Sequence, residues 1–302
     1  MKTTSGFIAF SFAIIGLFAT STAFATGPLL DNAEETHSFE TSVPTTQMNV
    51  AFDGLSYFMT SGGSPSGIRI EKRDGDGALV RNNQISIDIR SVMFDTNTNR
   101  LLVTSYNPNV NNANSGIFSV DTDSLQRTKL YNAALAGAQS MPSLDPTGQF
   151  FYVLVPNGRG VIRSYRVSDG GLVGDLVTLD LRNPGTEAGF IARADYVGGM
   201  FIAWDRTQKF FRAYNAQTGA FMGQSHAPGV GTSREWMSYA GGAAWIYDGS
   251  AGRWRSFSIL AGPPPEVNIE GDDEFAFNEG GSLELTVTGT EGVTFSWDLD
   301  GG

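Results

Sequence analysis

Cysteine is absent from this chain, and histidine occurs only twice, at His37 and His226. The first absence removes disulfides, thiol nucleophiles and thiolate metal sites. The second argues against a histidine-based metal centre or catalytic dyad, because His37 lies in a strand that precedes the repeats described below and His226 in a Gly/Pro-rich connection within them. No Gly-x-Ser-x-Gly elbow, phosphate loop or dinucleotide fingerprint occurs in a fitting context. A basic face is missing as well, which speaks against nucleic-acid binding. Only one apolar run stands out, and it lies at the N-terminus. No other segment is long enough to span a bilayer.

That run defines a leader. Lys2 supplies a positive start, Phe7 to Phe18 is apolar, and Ala23-Phe24-Ala25 fits the small-x-small cleavage rule. The segment 1–25 reads as a secretory signal peptide cut after Ala25, which predicts a secreted or cell-surface protein.

Charge is unevenly placed. The formal net charge is −11, and ten of the 31 acidic residues fall in 262–302, where there is no Lys or Arg. The remaining 21 acids face 20 basic residues, so the body is nearly neutral and the tail carries the imbalance.

What is abundant is glycine, 37 residues, and a repeating unit that uses it. Five copies of one pattern run from about Gln47 to Ala261. Each is an apolar run into a turn, a strand, a loop, and an aromatic-rich strand. The expected turns are Phe52-Asp53-Gly54, Phe94-Asp95-Thr96, Leu144-Asp145-Pro146, Ala194-Asp195-Tyr196 and Met237-Ser238-Tyr239. Their anchors at 53, 95, 145, 195 and 238 are spaced by 42, 50, 50 and 43 residues. A β-repeat of about 40–50 residues is the period of propeller blades. Copies four and five align at an offset of 43, Asp195-Tyr196-Val197-Gly198-Gly199 on Ser238-Tyr239-Ala240-Gly241-Gly242.

The fifth copy stops early, at Ala261-Gly262-Pro263-Pro264-Pro265, which cannot extend a sheet. A spare strand, Thr36 to Val43, precedes the first copy. The pattern therefore predicts an all-β, five-bladed β-propeller over 26–262. In it the N-terminal strand completes the last blade and closes the ring, which protects edges that would otherwise aggregate.

The proline linker 263–265 leads into 266–302, which alternates as strands over Glu266–Ile269, Ser282–Val287 and Val293–Asp298. Asn278-Glu279-Gly280 and Phe295-Ser296-Trp297-Asp298-Leu299-Asp300-Gly301 resemble the start of a polycystic-kidney-disease-type (PKD), immunoglobulin-like domain. The resemblance covers about 36 residues and implies a partial β-sandwich, spacer or adhesive roles, and further domains downstream. Asp298 and Asp300 in that turn could ligate calcium, a hard cation suited to oxygen ligands. The repeat region, through runs such as Arg100-Leu101-Leu102-Val103-Thr104 and Gly116-Ile117-Phe118-Ser119-Val120-Asp121, looks like the YVTN- and lactonase-like propellers of bacteria. That class contains enzymes and binding modules alike.

Propellers work at the ends of the central channel. The face formed by the second-to-third-strand loops, with the entries to each first strand, would gather Tyr106, Asn107, Asn109, Arg159, Trp204, Asp205, Arg206, Arg234, Glu235 and Asp248, with Arg90, Gln139 and Glu187 beside them. Amide, carboxylate and guanidinium groups next to aromatic rings suit a sugar or peptide. Two functions follow. One is an interaction module whose loop face binds a glycan or an extracellular protein, displayed by PKD-like domains. The other is an extracellular propeller enzyme, a lactonase-like hydrolase or polysaccharide lyase, with acids and arginines at the channel mouth.

Overall fold

A tight hairpin opened by Asp or Asn recurs among the described residues. Asp205 Oδ1 accepts the N–H groups of Thr207 and Gln208, each at 3.0 Å, and Lys209 N–H bonds back to Asp205 O at 2.8 Å. Asn215 holds Gln217 and Thr218 in the same way, each at 2.9 Å, and Asp248 holds Ser250 and Ala251 at 3.0 and 3.1 Å. The side chain imitates a backbone acceptor and so fixes the turn. A residue near the end of the turn has positive φ, which glycine meets at Gly219 (φ 73°) and Gly252 (φ 66°), and a non-glycine residue at Asn99 (φ 53°) and Lys209 (φ 62°).

Among the described residues there are 22 strands. They are β1 (Leu29–Glu40), β2 (Thr46–Phe52), β3 (Tyr57–Gly62), β4 (Arg69–Arg73), β5 (Leu79–Gln84), β6 (Ile89–Asp95), β7 (Arg100–Ser105), β8 (Ile117–Val120), β9 (Arg127–Tyr131), β10 (Ser143–Leu144), β11 (Phe150–Leu154), β12 (Val161–Arg166), β13 (Leu172–Thr178), β14 (Ala194–Val197), β15 (Met200–Asp205), β16 (Phe210–Asn215), β17 (Phe221–His226), β18 (Ser233–Ala240), β19 (Ala243–Asp248), β20 (Arg253–Leu260), β21 (Asn268–Glu270) and β22 (Thr286–Thr288). This computed structural model describes residues 29–41, 46–63, 69–106, 113–133, 135–155, 160–181, 193–231, 233–261, 268–270 and 286–288, with backbone alone at 233–236 and in β21 and β22. Among the described residues there is no helix.

Strands β2–β5, β6–β9 and β10–β13 are three four-stranded antiparallel meanders, each in sequence order. β14–β17 form a fourth. The fifth group is β18-β19-β20-β1, because β1 pairs antiparallel with β20 from Leu29↔Leu260 to Glu40↔Arg253. A parallel bridge at Asn32↔His226 also joins β1 to β17. The first strands touch one another in cyclic order, β2–β6–β10–β14–β18–β2, so the sheets stand around an axis. The architecture is all-β and propeller-like.

The core lies between adjacent sheets. Phe58, Val92, Val103 and Phe118 fill the first junction, and Phe151 and Val153 lie in the second. Phe201 and Tyr214 fill the third, and Trp204, Phe211, Ile246 and Phe257 the fourth. Trp245 and Trp254 meet Phe39 and Tyr57 at the seam between the last sheet and the first. Each of these rings removes roughly 150–250 Å² from water, so they dominate the packing energy. Phe39 comes from β1, which therefore reaches the first sheet as well as the last. Gly77 (φ 88°) makes room for it, since a Cβ there would lie 2.2 Å from the Phe39 ring.

Two of the five expected turns are displaced. Ala194-Asp195-Tyr196 and Met237-Ser238-Tyr239 lie inside β14 and β18, and the reversals occur at Gly198-Gly199 and Gly241-Gly242. Two-residue turns with positive φ at both positions need glycine. They are shorter than the Asp-opened turns after β6 and β10, so matching aspartate to aspartate misplaces the strand. The spare strand also begins earlier than expected, at Leu29. The segment 271–285, the residues from 289 onward, and therefore Asp298, Asp300 and most of the PKD-like stretch, lie outside the described residues.

Candidate functional site at the loop end of the ring

The axis of the ring is filled by polar groups. Arg193 donates to Asp195 Oδ1 through Nε at 2.8 Å and Nη2 at 2.6 Å, and through Nη1 to Ser91 Oγ at 2.6 Å. Ser91 Oγ in turn donates to Pro142 O at 2.7 Å, and Ser143 Oγ donates to Ala194 O at 2.9 Å. Asp195 Oδ2 accepts Tyr239 N–H, and Ser238 Oγ accepts Val50 N–H, both at 2.9 Å. These bonds tie β6, β10, β14, β18 and β2 together, and every side chain in them is buried. Burial pushes the Asp195 carboxyl above the usual carboxylate range, against the pull of the Arg193 guanidinium and the Tyr239 N–H. A buried pair survives only when its remaining hydrogen-bonding capacity is met, which is the arrangement here.

At the loop end the inner strands are irregular. Register breaks fall between Gln47 and Val50 in β2, between Ile89 and Ser91 in β6, and between Ser233 and Met237 in β18. Bulges re-aim side chains and gather beside functional sites. In β6 the extra residue is Arg90. Its Nη2 donates to Asp88 Oδ2 at 2.8 Å, and its guanidinium lies 4.8 Å from the centre of the Tyr106 ring. Asp88 Oδ1 accepts Gly63 N–H at 2.8 Å, and Asp88 O accepts Tyr106 N–H at 2.6 Å. Asp88 thus clamps the starts of two loops, after β3 and after β7, to the entry of β6. Burial lowers the Arg90 pKa, with Asp88 and Tyr106 opposing.

A second convergence lies between the fourth and fifth groups. Asp248 Oδ2 accepts Arg255 Nη1 at 3.2 Å and Gly231 N–H at 3.3 Å, and Arg255 Nη2 donates to Glu35 at 2.5 Å. Burial raises the Asp248 pKa, but the N–H groups of Ala251, Gly231 and Ser250 together with Arg255 hold it below the ordinary range.

Of the residues expected to form the binding face, Tyr106 is half-buried at the clamp and Arg206 is exposed in the turn after β15. Three others serve the scaffold. Trp204 is buried in the core, its ring 4.7 Å from that of Phe211. Asp205 is fully buried, caps its turn and accepts Arg212 Nη2 at 2.9 Å. Asp248 is also buried, with the partners given above. Their position after a second strand is as expected, yet the turn consumes the carboxylates and the core takes the indole. Arg234 and Glu235 fall within β18, where only the backbone is described. Asn107, Asn109 and Arg159 lie outside the described residues, as does Glu187.

Reading the sequence missed Asp88, Ser91, Arg193 and Arg212. A signal for two of these was present. Asp88-Ile89-Arg90 and Arg193-Ala194-Asp195, like Glu71-Lys72-Arg73, place opposite charges at i and i+2, which share one face of a strand. All three pairs form, at 2.8, 2.6 and 2.8 Å. Among the described residues no group of three or more His, Asp or Glu side chains is placed to hold a metal ion.

No protein-family model matches the chain, and no curated protein does. Solved structures do. Glutaminyl cyclase of Myxococcus xanthus aligns at a TM-score of 0.57 and 12% identity, covering 77% of this chain and 98% of that one. An auxiliary nutrient binding protein of Bacteroides ovatus aligns at 0.44 and 11%, covering 77% and 78%. At such identity the first likeness concerns fold alone, and it agrees with the all-β, propeller-like arrangement of the sheets.

Proposed function

We propose that this chain is a secreted or cell-surface interaction module. In this reading the five sheets are the blades of a five-bladed propeller closed by β1, and its loop face binds a glycan or an extracellular protein. The leader directs export, and the PKD-like stretch displays the propeller. The observation that carries the reading is the contrast at the axis. Ser91, Arg193, Asp195 and Ser238 lock the inner strands, while the Asp88–Arg90–Tyr106 clamp roots two loops on one end. A locked axis with re-aimed strand entries suits a rigid platform that presents loops to a large ligand. In this reading Asn107, Asn109, Arg159, Arg234 and Glu235, expected from the sequence, are assigned to the ligand-binding face of that platform. Calcium at Asp298 and Asp300 belongs to the same proposal, as a stiffener of the display segment.

Glycan-array and pull-down binding with the secreted chain tests this. Binding that weakens in Tyr106→Ala and Arg90→Ala is expected. Absence of binding, together with turnover of lactone or uronate substrates, would overturn it.

A further inference from the structure

A cleft of about 550 Å³ opens on the rim, where β1 and β17 part beyond their single bridge at Asn32↔His226. It is separate from the loop-end clamp, and nothing above assigns it a role. Leu29 and Asp31 of β1 line it, with Phe221, Met222 and Gln224 of β17 and with Gln208 and Arg212. Its volume falls within the roughly 300–1,000 Å³ range of small-molecule sites.

The lining selects a chemistry. Arg212 is buried, and its charge is met by Asp205 at 2.9 Å, so the cleft does not ask for an anion. The same guanidinium donates to Gln208 Oε1 at 2.8 Å, which turns the donor end of that amide away from it. Gln224 adds a second amide on an exposed residue, and Asp31 adds an exposed carboxylate acceptor. Phe221 and Met222 offer half-buried apolar surface beside these groups, at the bulge where β17 slips against β16 between Ala213 and Tyr214. Donors, an acceptor and an aromatic ring around a charge-balanced floor match a neutral saccharide, with its hydroxyl rim and apolar C–H faces.

We infer that the β1–β17 cleft is a binding site for a neutral oligosaccharide of about two residues. The ligand would touch both the fourth sheet and the closing strand, so its binding energy adds to closure of the ring. A ligand that binds only the folded state raises the melting temperature in proportion to the logarithm of its concentration.

The test uses the secreted chain with maltose, cellobiose and N,N′-diacetylchitobiose as probes, read by saturation-transfer NMR and by thermal melts. At least one probe should bind and raise the melting temperature. Phe221→Ala with Gln224→Ala should weaken that binding about tenfold or more, whereas Tyr106→Ala should leave it unchanged. No binding by any of the three overturns the inference. Binding that survives the rim variants and disappears in Tyr106→Ala also overturns it, and places the sugar on the loop face instead. Loss of loop-face ligands with rim binding intact counts against the proposed function and leaves the rim site standing.

Discussion

The innermost and outermost strands each depart from the usual rule of burial. Beside apolar residues such as Val50, Val92 and Met237, the inner strands and their entries bury Ser91, Arg193, Asp195 and Ser238, all polar. The outer strands expose apolar side chains: Leu79 and Val80 on β5, Leu130 on β9, and Leu172, Val173 and Leu176 on β13. The exposed residues are not random. Val80, Leu130, Val173 and Leu176 are each the unpaired extra residue at a register break in their strand. Met222 on β17 and Thr36 on β1 hold the matching position. Every outer strand therefore carries a bulge, which twists a free edge away from pairing with another chain. Near the axis the first strands converge and must be joined through their side chains and backbone groups. At the rim, space is open and the hazard is edge-to-edge association.

The contrast can be broken most severely at the closing strand. Removing 29–40 strips β20 of its partner and exposes Trp245 and Trp254 at the seam. The expected product is aggregated or loosely packed, without near-ultraviolet dichroism. A monomeric, cooperatively melting deletion variant would contradict the role given to β1. Next comes the axis. Arg193→Ala leaves Asp195 buried and unpaired and should cost about 3–5 kcal/mol in denaturant melts. Asp195→Asn keeps the shape and one acceptor but strips the buried Arg193 guanidinium of its counter-charge and sets an amide N–H group against its donors, so it should cost about as much. A clearly smaller loss for Asp195→Asn would mean that packing, not charge, dominates there.

A smaller effect is expected at Asp248. Its folded pKa lies below the unfolded value, so its stabilisation is present above the unfolded pKa of about 3.9 and is lost as pH falls through the lower folded value. Asp248→Asn should cost about 1–3 kcal/mol near pH 7 and flatten the acid limb of the stability curve below about pH 4. An unchanged acid limb would assign that loss to other carboxylates. The smallest effect belongs to the rim. Val80→Ser and Val173→Ser should each change stability within about 0.5 kcal/mol. Replacing the bulge by deleting Val80 should instead promote association, seen by light scattering; a deletion variant that stays monomeric would remove edge protection as the reason for these bulges.

Much of the architecture was legible because β-repeats print their period directly. Asp53, Asp95 and Asp145 do cap the first three turns, accepting N–H groups of Leu55 and Ser56, of Asn97, and of Thr147. The fourth and fifth copies misled the alignment because Gly-Gly turns replace Asp-opened ones, and an aspartate deeper in β14 stood at the same spacing. The binding face was harder to read. Asp205 and Asp248 look like site residues in sequence, since an aspartate after an aromatic strand can equally face a ligand or cap a turn. Only the returning strand decides.

Local chemistry along the chain, then, determined the turns, the alternation of strands, the spare first strand and the unfinished last copy. These depend on φ preferences and on a period of two, which neighbouring residues impose by themselves. The tertiary structure decided which charges meet. Arg193 reaches Ser91 across 102 positions, and Asp195 reaches the backbone of Tyr239 across 44. No local rule encodes such meetings, because they arise only when first strands far apart in the sequence pack side by side and their polar groups find partners in one another.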